Sequence, residues 1–565
     1  MARIPLGYHL VKHFPKCGNR DLWYKGYILV LTFLAYTTYH LSRKPIGVVK
    51  GVLHSNCSKY DDDDASIPFF PVFESNSSNV NDSCWCCWAP FGGGNANILL
   101  GSLDYAYLFA YAVGMFVSGH IGERVDLRYF LSFGMIASGF WTAMVGMAYF
   151  WNIHSFYYFI IMQIIGGLFQ ATGWPSVVAI VANWFGKGRR GLILGVWNTH
   201  TSLGNILGSL VAGIFVDKAW GWSFVVPGFI IGGMGVIIFL FLIVYPSDID
   251  CKPTNSLPVP SPDPNEYSDD GEAVHSRREE QAKPEDIKAI TFWGALQIPG
   301  VIEFSLCLFF AKLVSYTFLY WLPAYIHSTS HVTDERAADL STLFDVGGIL
   351  GGIFAGFLSD MADCSATVSF ISLIIAAPLV YVYNAYGYIS FTVSITLMAI
   401  TGFFVNGPYA LITTAVSADL GTHPSLKGNA KALATVSAII DGTGTIGAAV
   451  GPLLTGVLNP NNDAEGWYKV FLMLAAAEIV GALLMVRQVI KEVRNFCRKS
   501  TVYQPLNSAP NDFDGLLDLQ RYSKKQDICK HVLQTEDSAP LILHLSFSNR
   551  NTALYAETSL AGPDF

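Results

Sequence analysis

The stretch Tyr39-His40-Leu41-Ser42-Arg43-Lys44-Pro45 sets two cations beside a proline inside the largely apolar run 24–50. A third cation, Lys312, stands in Phe309-Phe310-Ala311-Lys312-Leu313-Val314-Ser315-Tyr316 with no acidic residue at helical spacing. A charge inside an apolar span costs about 2.5–3.5 kcal/mol on insertion scales, so each of these is a functional candidate. Arg43 and Lys44 lie deep if residues 46–53 continue a tilted helix, and at the lipid surface if the span ends after about 20 residues. Lys312 either pairs with Asp104, Asp345 or Asp441 from another span or faces a cavity. The functional reading brings Arg43 and Lys312 into one cavity. There a planar guanidinium fork and a point-charge ammonium suit a phosphate dianion.

Such cations need helices to hold them at depth, and the composition supplies them. Of 565 residues, 52% are hydrophobic and 14% charged, against roughly 25% charged in soluble domains. Mean hydropathy is +0.38. Twelve apolar runs are long enough to cross a bilayer, near residues 24–50, 98–119, 129–150, 156–182, 191–216, 222–245, 299–323, 337–358, 366–386, 388–417, 430–457 and 467–489. The expected class is an all-α membrane protein of twelve transmembrane helices. The net charge of −8 argues against a nucleic-acid partner. No cleavable leader precedes the first run, so the amino terminus is expected to be retained.

Basic residues fix the orientation, because cytosolic connections carry the Lys/Arg excess. Lys187, Arg189 and Arg190 follow span four, Arg124 and Arg128 follow span two, Lys427 and Lys431 follow span ten, and Arg487, Lys491 and Arg494 follow span twelve. The connections at 151–154 and 384–387 have none. Both termini are therefore expected in the cytosol. The sequons at Asn56, Asn76 and Asn81 fall in the 51–97 connection, on the side where glycosylation is possible. Cys57, Cys84, Cys86 and Cys87 share that loop, where one or two disulfides are expected.

Residues 246–296 turn to Pro, Ser, Asp and Glu and read as a flexible cytosolic linker. They separate a six-helix bundle at 24–245 from a second at 297–489, flanked by a 1–23 terminus and a mostly disordered 490–565 tail. Two parallel halves around a midplane site are the layout of many carriers. The i,i+4 glycine pairs 204/208, 347/351, 348/352 and 447/451 predict close helix approach. Gly442-Thr443-Gly444-Thr445-Ile446-Gly447 fits a dinucleotide pattern, but no strand precedes it and it lies within a span, so it reads as packing. No hydrolase elbow, phosphate-gripping loop or metal motif appears, and neither an enzyme nor a cofactor is expected.

Further motifs carry a resemblance. Gly119-His-Ile-Gly-Glu123-Arg124 after span two has a counterpart ending in Asp360 after span eight, and loops of this kind mark major facilitator transporters. Gly167-Leu168-Phe169-Gln170-Ala171-Thr172-Gly173-Trp174-Pro175, Asn183-Trp184-Phe185, and Gly195-Val196-Trp197-Asn198-Thr199-His200, together with Arg43-Lys44, resemble the organophosphate:phosphate antiporters of that superfamily. The resemblance is closest to the eukaryotic sugar-phosphate exchangers of solute carrier family 37 and spans roughly residues 20–490.

The resemblance implies the major facilitator fold and exchange of glucose 6-phosphate, or a related sugar phosphate, for inorganic phosphate across the endoplasmic reticulum membrane. It places the span-one arginine at Arg43 and the span-five histidine at His200, or one residue on at Thr201. The basic residue that bacterial relatives have in span seven falls on Ser315, with Lys312 one turn earlier as the substitute. Tyr39, Trp197, Asn198 and Gln170 join the candidate substrate contacts; Tyr39 and Trp197 either stack on a sugar or fill helix contacts. Gly119, Glu123, Arg124 and Asp360 are the candidate gating loop. Two rival readings are a proton-coupled organic-anion carrier and a non-transporting sensor or scaffold on a transporter fold.

Overall fold

The computed structural model describes residues 4–12, 20–54, 88–122, 124–185, 195–251, 292–330, 332–362, 364–421, 430–460 and 462–502. Among them the regular structure is helical, with no strand. The sites at Asn56, Asn76, Asn81 and Glu123, and nearly all of the linker and tail, lie outside the described residues.

The first six crossings are α1 (Arg20–Arg43) continued by α2 (Pro45–Leu53), α3 (Ala96–Gly122), α4 (Leu127–Phe150), α5 (Phe156–Gln170) continued by α6 (Gly173–Trp184), α7 (His200–Ala219) and α8 (Trp222–Phe241). The second six are α9 (Val301–Ser330), α10 (Asp334–Ala362), α11 (Ser365–Tyr386), α12 (Phe391–Leu411), α13 (Ala430–Leu458) and α14 (Ala464–Val502). Eleven of these helices are long and apolar enough to cross a membrane. The twelfth, α1 with α2, carries Arg43, Lys44 and Lys50 in its second half. The expected single helix over 24–50 is thus two. Pro45 lacks the N–H that would bond the Leu41 carbonyl, so α1 stops at Arg43 and the chain restarts beyond Lys44.

Both six-helix groups lie in one compact unit, Met1–Glu492; the second unit, Val493–Phe565, is described only over the end of α14. The groups meet along α3 against α13 and α7 against α10, while α2 packs on α9. Small residues make this closeness possible. A Cβ on Gly208 would strike the Leu41 carbonyl and the Lys44 side chain, each at 2.7 Å, so α7 rides on the backbone of α1. The other predicted glycine pairs occupy equivalent crossings, Gly347 and Gly351 against α12 and Gly447 and Gly451 against α9. The Gly442–Gly447 stretch lies within α13, where Gly447 abuts the Phe309 carbonyl.

Candidate functional site

Arg43 closes α1 directly opposite the second helix break. There α5 ends at Gln170 and α6 restarts at Gly173, where a Cβ would lie 2.7 Å from the Tyr39 ring. The two breaks let side chains rather than backbone meet. Arg43 Nε donates to Gln170 Oε1 at 2.7 Å, Gln170 Nε2 donates to Ser42 Oγ at 2.7 Å, and Ser42 Oγ donates to the Tyr39 carbonyl at 2.9 Å. The guanidinium carbon stands 4.5 Å from the centre of the Tyr111 ring. Arg43 is 3% exposed, yet its Nη2 has no hydrogen-bond partner, and among the described residues no carboxylate lies within ion-pairing distance. A charge this deep is held by one amide and ring faces with no ion pair among the described residues, which leaves it short of an anion.

Lys312 differs. Its ammonium donates to Asp441 Oδ1 at 2.6 Å and lies 3.4 Å from Thr445 Oγ1, both on α13. Of the alternatives open for Lys312, the pairing with Asp441 is the one observed: the cation has a carboxylate of its own, from a residue 129 positions away in sequence. Tyrosine rings border both cations, Tyr111 beside Arg43 and, near the Lys312 ammonium, Tyr316 at 6.0 Å and Tyr409 at 5.5 Å from the ring centres. Of the other partners considered for Lys312, Asp104 pairs with Lys50, and Asp345 accepts from Asn205 Nδ2 at 2.9 Å.

The remaining predicted residues divide. Tyr39 is fully buried, its hydroxyl 3.4 Å from Thr172 Oγ1, and Trp197 donates to Thr32 Oγ1 at 3.3 Å; both fill helix contacts here. His200 packs edge-on to Trp197 and Tyr36 with ring centres 4.5 and 4.7 Å away, and its Nε2 has no partner. Lys44 donates to the Leu319 carbonyl at 2.9 Å, Ser315 Oγ donates to Asn406 Oδ1 at 2.8 Å, and Asn198 is buried at the α7–α10 junction. Gly119, Arg124 and Asp360 sit together with neither site, at helix ends where Arg124 and Asp360 are exposed.

Two cavities of about 20 Å³ each flank this region, far smaller than a sugar phosphate. One is bounded by Ser42, Arg43, Asp104, Tyr107, Gln163 and Tyr320. The other runs between the groups past His40, Lys44 and Asp345. Sequence reasoning did not single out His40, Asn205 or Asn406. Asp345 entered only as a possible Lys312 partner, although a charge within span eight was signal enough. At the end bearing the 51–97 loop, α2 is fastened to α9. Besides the Lys44 bond, a Cβ on Gly47 would lie 3.0 Å from Tyr320 Cα, and the Lys50 ammonium stands 3.8 Å from the centre of the Trp321 ring.

Residues 89–429 match the sequence profile of the Major Facilitator Superfamily. A mouse protein named glucose-6-phosphate exchanger SLC37A2 is 54% identical over 508 residues, 87% of this chain and 98% of its own. The human protein of that name is 54% identical over 489 residues, covering 85% and 95% of the two chains. The mouse glucose-6-phosphate exchanger SLC37A1 is 49% identical over 528 residues, covering 87% and 97%. The chain belongs to solute carrier family 37 of the Major Facilitator Superfamily. Among solved structures, a bacterial homologue of the lysosomal transporter Spinster, inward-facing and unoccupied, superposes with a TM-score of 0.53 at 16% identity, covering 84% of this chain and 99% of that one. That likeness establishes the shared fold. Family membership makes this a multi-pass membrane transporter, and in that fold α1 and α9 are the first helices of the two halves, which is where Arg43 and Lys312 stand.

Proposed function

We propose that this protein exchanges glucose 6-phosphate, or a closely related sugar phosphate, for inorganic phosphate by alternating access. The observation that carries the reading is Arg43: buried, without a carboxylate, its Nη2 unpartnered, at the junction of the two halves. The names of the SLC37A1 and SLC37A2 relatives supply the sugar phosphate. Arg43 grips the phosphate by its fork, Gln170 holds the guanidinium in orientation, and Lys312 shares its ammonium between Asp441 and the phosphate. His200, Lys44 and Asn198 stand in the path the substrate follows, and Tyr39, Trp197 and Ser315 shape its walls.

Exchange rather than one-way flux follows from electrostatics. An empty site leaves a desolvated guanidinium uncompensated when the halves rock, while bound phosphate supplies the missing charge and acceptors. The loops at Gly119–Arg124 and at Asp360 guide that rocking. The basic connections support cytosolic termini, the sequons support a glycosylated 51–97 loop on the opposite face, and family analogy supports the endoplasmic reticulum membrane.

Proteoliposomes test the reading. Labelled glucose 6-phosphate should enter phosphate-loaded vesicles and not phosphate-free ones. Equal uptake into both would refute obligatory exchange. Accumulation driven by an imposed pH gradient would point to a proton-coupled carrier instead.

A further inference from the structure

The cavity between the two halves has its own chemistry, distinct from that around Arg43. His40, Lys44 and Asn205 line it from the first half, and Ser315, Asp345 and Asn406 from the second. Two hydrogen bonds join the halves across it, Asn205 Nδ2 to Asp345 Oδ1 and Lys44 Nζ to the Leu319 carbonyl, each at 2.9 Å, and only the first is made between two side chains. Two polar atoms on its wall are left over. Nδ1 of His40, 2% exposed, and Oδ1 of Asn205, 6% exposed, complete no hydrogen bond of normal length and have at most each other as a distant partner. Tyr316 and Tyr409 also border the cavity, and the Lys312 ammonium lies 5.5 Å from the centre of the Tyr409 ring, so this space adjoins the cation pair.

A wall of this kind does not suit a second phosphate, because Asp345 offsets the charge of Lys44, whose ammonium already donates to the Leu319 carbonyl. It suits hydroxyl groups, which donate to a carboxylate and an amide oxygen and accept from an amide or imidazole N–H. We propose that this cavity is the polyol subsite of the carrier. It receives the hydroxylated ring of the sugar phosphate, with Asp345 and Asn205 as specificity-determining residues, while the phosphate lies at Arg43 and Lys312. The Asn205–Asp345 bond helps to hold the cavity shut in the absence of a ring. Ring hydroxyls replace that bond as the halves part to admit the sugar, and the leftover atoms of His40 and Asn205 gain partners. Inorganic phosphate has no ring to take the place of that bond, so its binding at Arg43 and Lys312 draws nothing from Asn205 or Asp345. The inference rests on the exchange reading above.

The two substrates therefore separate the subsites. In proteoliposomes, phosphate–phosphate exchange and glucose 6-phosphate–phosphate exchange are measured side by side for the unsubstituted protein, Asp345→Ala, Asp345→Asn and Asn205→Ala. Asp345→Ala and Asn205→Ala should raise the half-saturating glucose 6-phosphate concentration at least tenfold. Their half-saturation for inorganic phosphate should stay within twofold or fall, since removing Asp345 makes the region more positive. Asp345→Asn, which keeps an acceptor, should lie between. Equal weakening toward both substrates, or loss of both exchanges in every variant, would make these residues structural and overturn the subsite while leaving the exchange reading intact. Absence of both exchanges in the unsubstituted protein would remove the exchange reading and the subsite with it.

Discussion

Arg43→Lys keeps the charge of the buried guanidinium but removes the Nε that Gln170 holds and the fork that Nη2 completes. Charge-assisted hydrogen bonds contribute about 1.5–3 kcal/mol, so phosphate–phosphate exchange should fall by at least tenfold with the protein still folded. Counterflow at the unsubstituted rate would deny Arg43 its role. Lys312 and Asp441 predict a different pattern. Removing either alone strands the other's charge in the interior, at a cost of about 3–5 kcal/mol, whereas removing both is far milder. Thermal unfolding in detergent should show Lys312→Met and Asp441→Asn each lowering the midpoint and the double variant recovering most of it. Additive losses would mean the 2.6 Å contact contributes no coupling. At this scale the sequence disclosed its cations and withheld their partners. Arg43, Lys312 and Gln170 stand out as polar residues in apolar runs. That Asp441 takes Lys312 while Asp345 takes Asn205 depends on which helix faces match, and no local spacing encodes that.

Helices in this protein are interrupted where polar side chains must meet and small where backbones must touch. Gly208 illustrates the second rule: a side chain there collides with the Leu41 carbonyl and Lys44. Gly208→Val should cost about 1–3 kcal/mol by overpacking, visible as a lowered unfolding midpoint and reduced exchange; unchanged values would mean α1 and α7 can separate freely. At the far end of α1, Arg20 Nη2 donates to the Ile249 carbonyl and ties the helix to the turn that follows α8. Cys251 beside it is 4% exposed, and burial, with Asp21 next to it, pushes its thiol up to about 11. Thiolate is the reactive form and a free thiol titrates near 8.5. Maleimide labelling of Cys251 at pH 7.5 should therefore be much slower than that of an exposed cysteine and accelerate only toward pH 11; fast labelling at neutral pH would show the turn to be open. The glycine pairs announced these crossings from sequence. The break at Lys44 is invisible to hydropathy, which averages over a window and reads straight across one proline.

Across the whole molecule, the division into six and six helices was legible from apolar runs and the polar stretch between them. The state of closure was not, since it is set by contacts between halves that lie hundreds of residues apart. At the 51–97 end, α3 meets α13 so closely that a Cβ on Gly101 would lie 3.4 Å from Leu453 Cα. The pair Gly101→Cys and Leu453→Cys should cross-link under mild oxidation, arrest exchange, and recover it on reduction. Undiminished flux in the cross-linked carrier would show that this seam never parts.

The strap formed by α2 has a consequence for how that seam opens. Its three holds on α9, at the N-cap residue 44 and at residues 47 and 50, are spaced three apart and so lie on one side of the helix. A twist of that short segment by a quarter turn unfastens all of them together, much as one pull opens a zipper whose teeth are in register. Opening on that side should thus be abrupt, without a lasting half-unlatched stage.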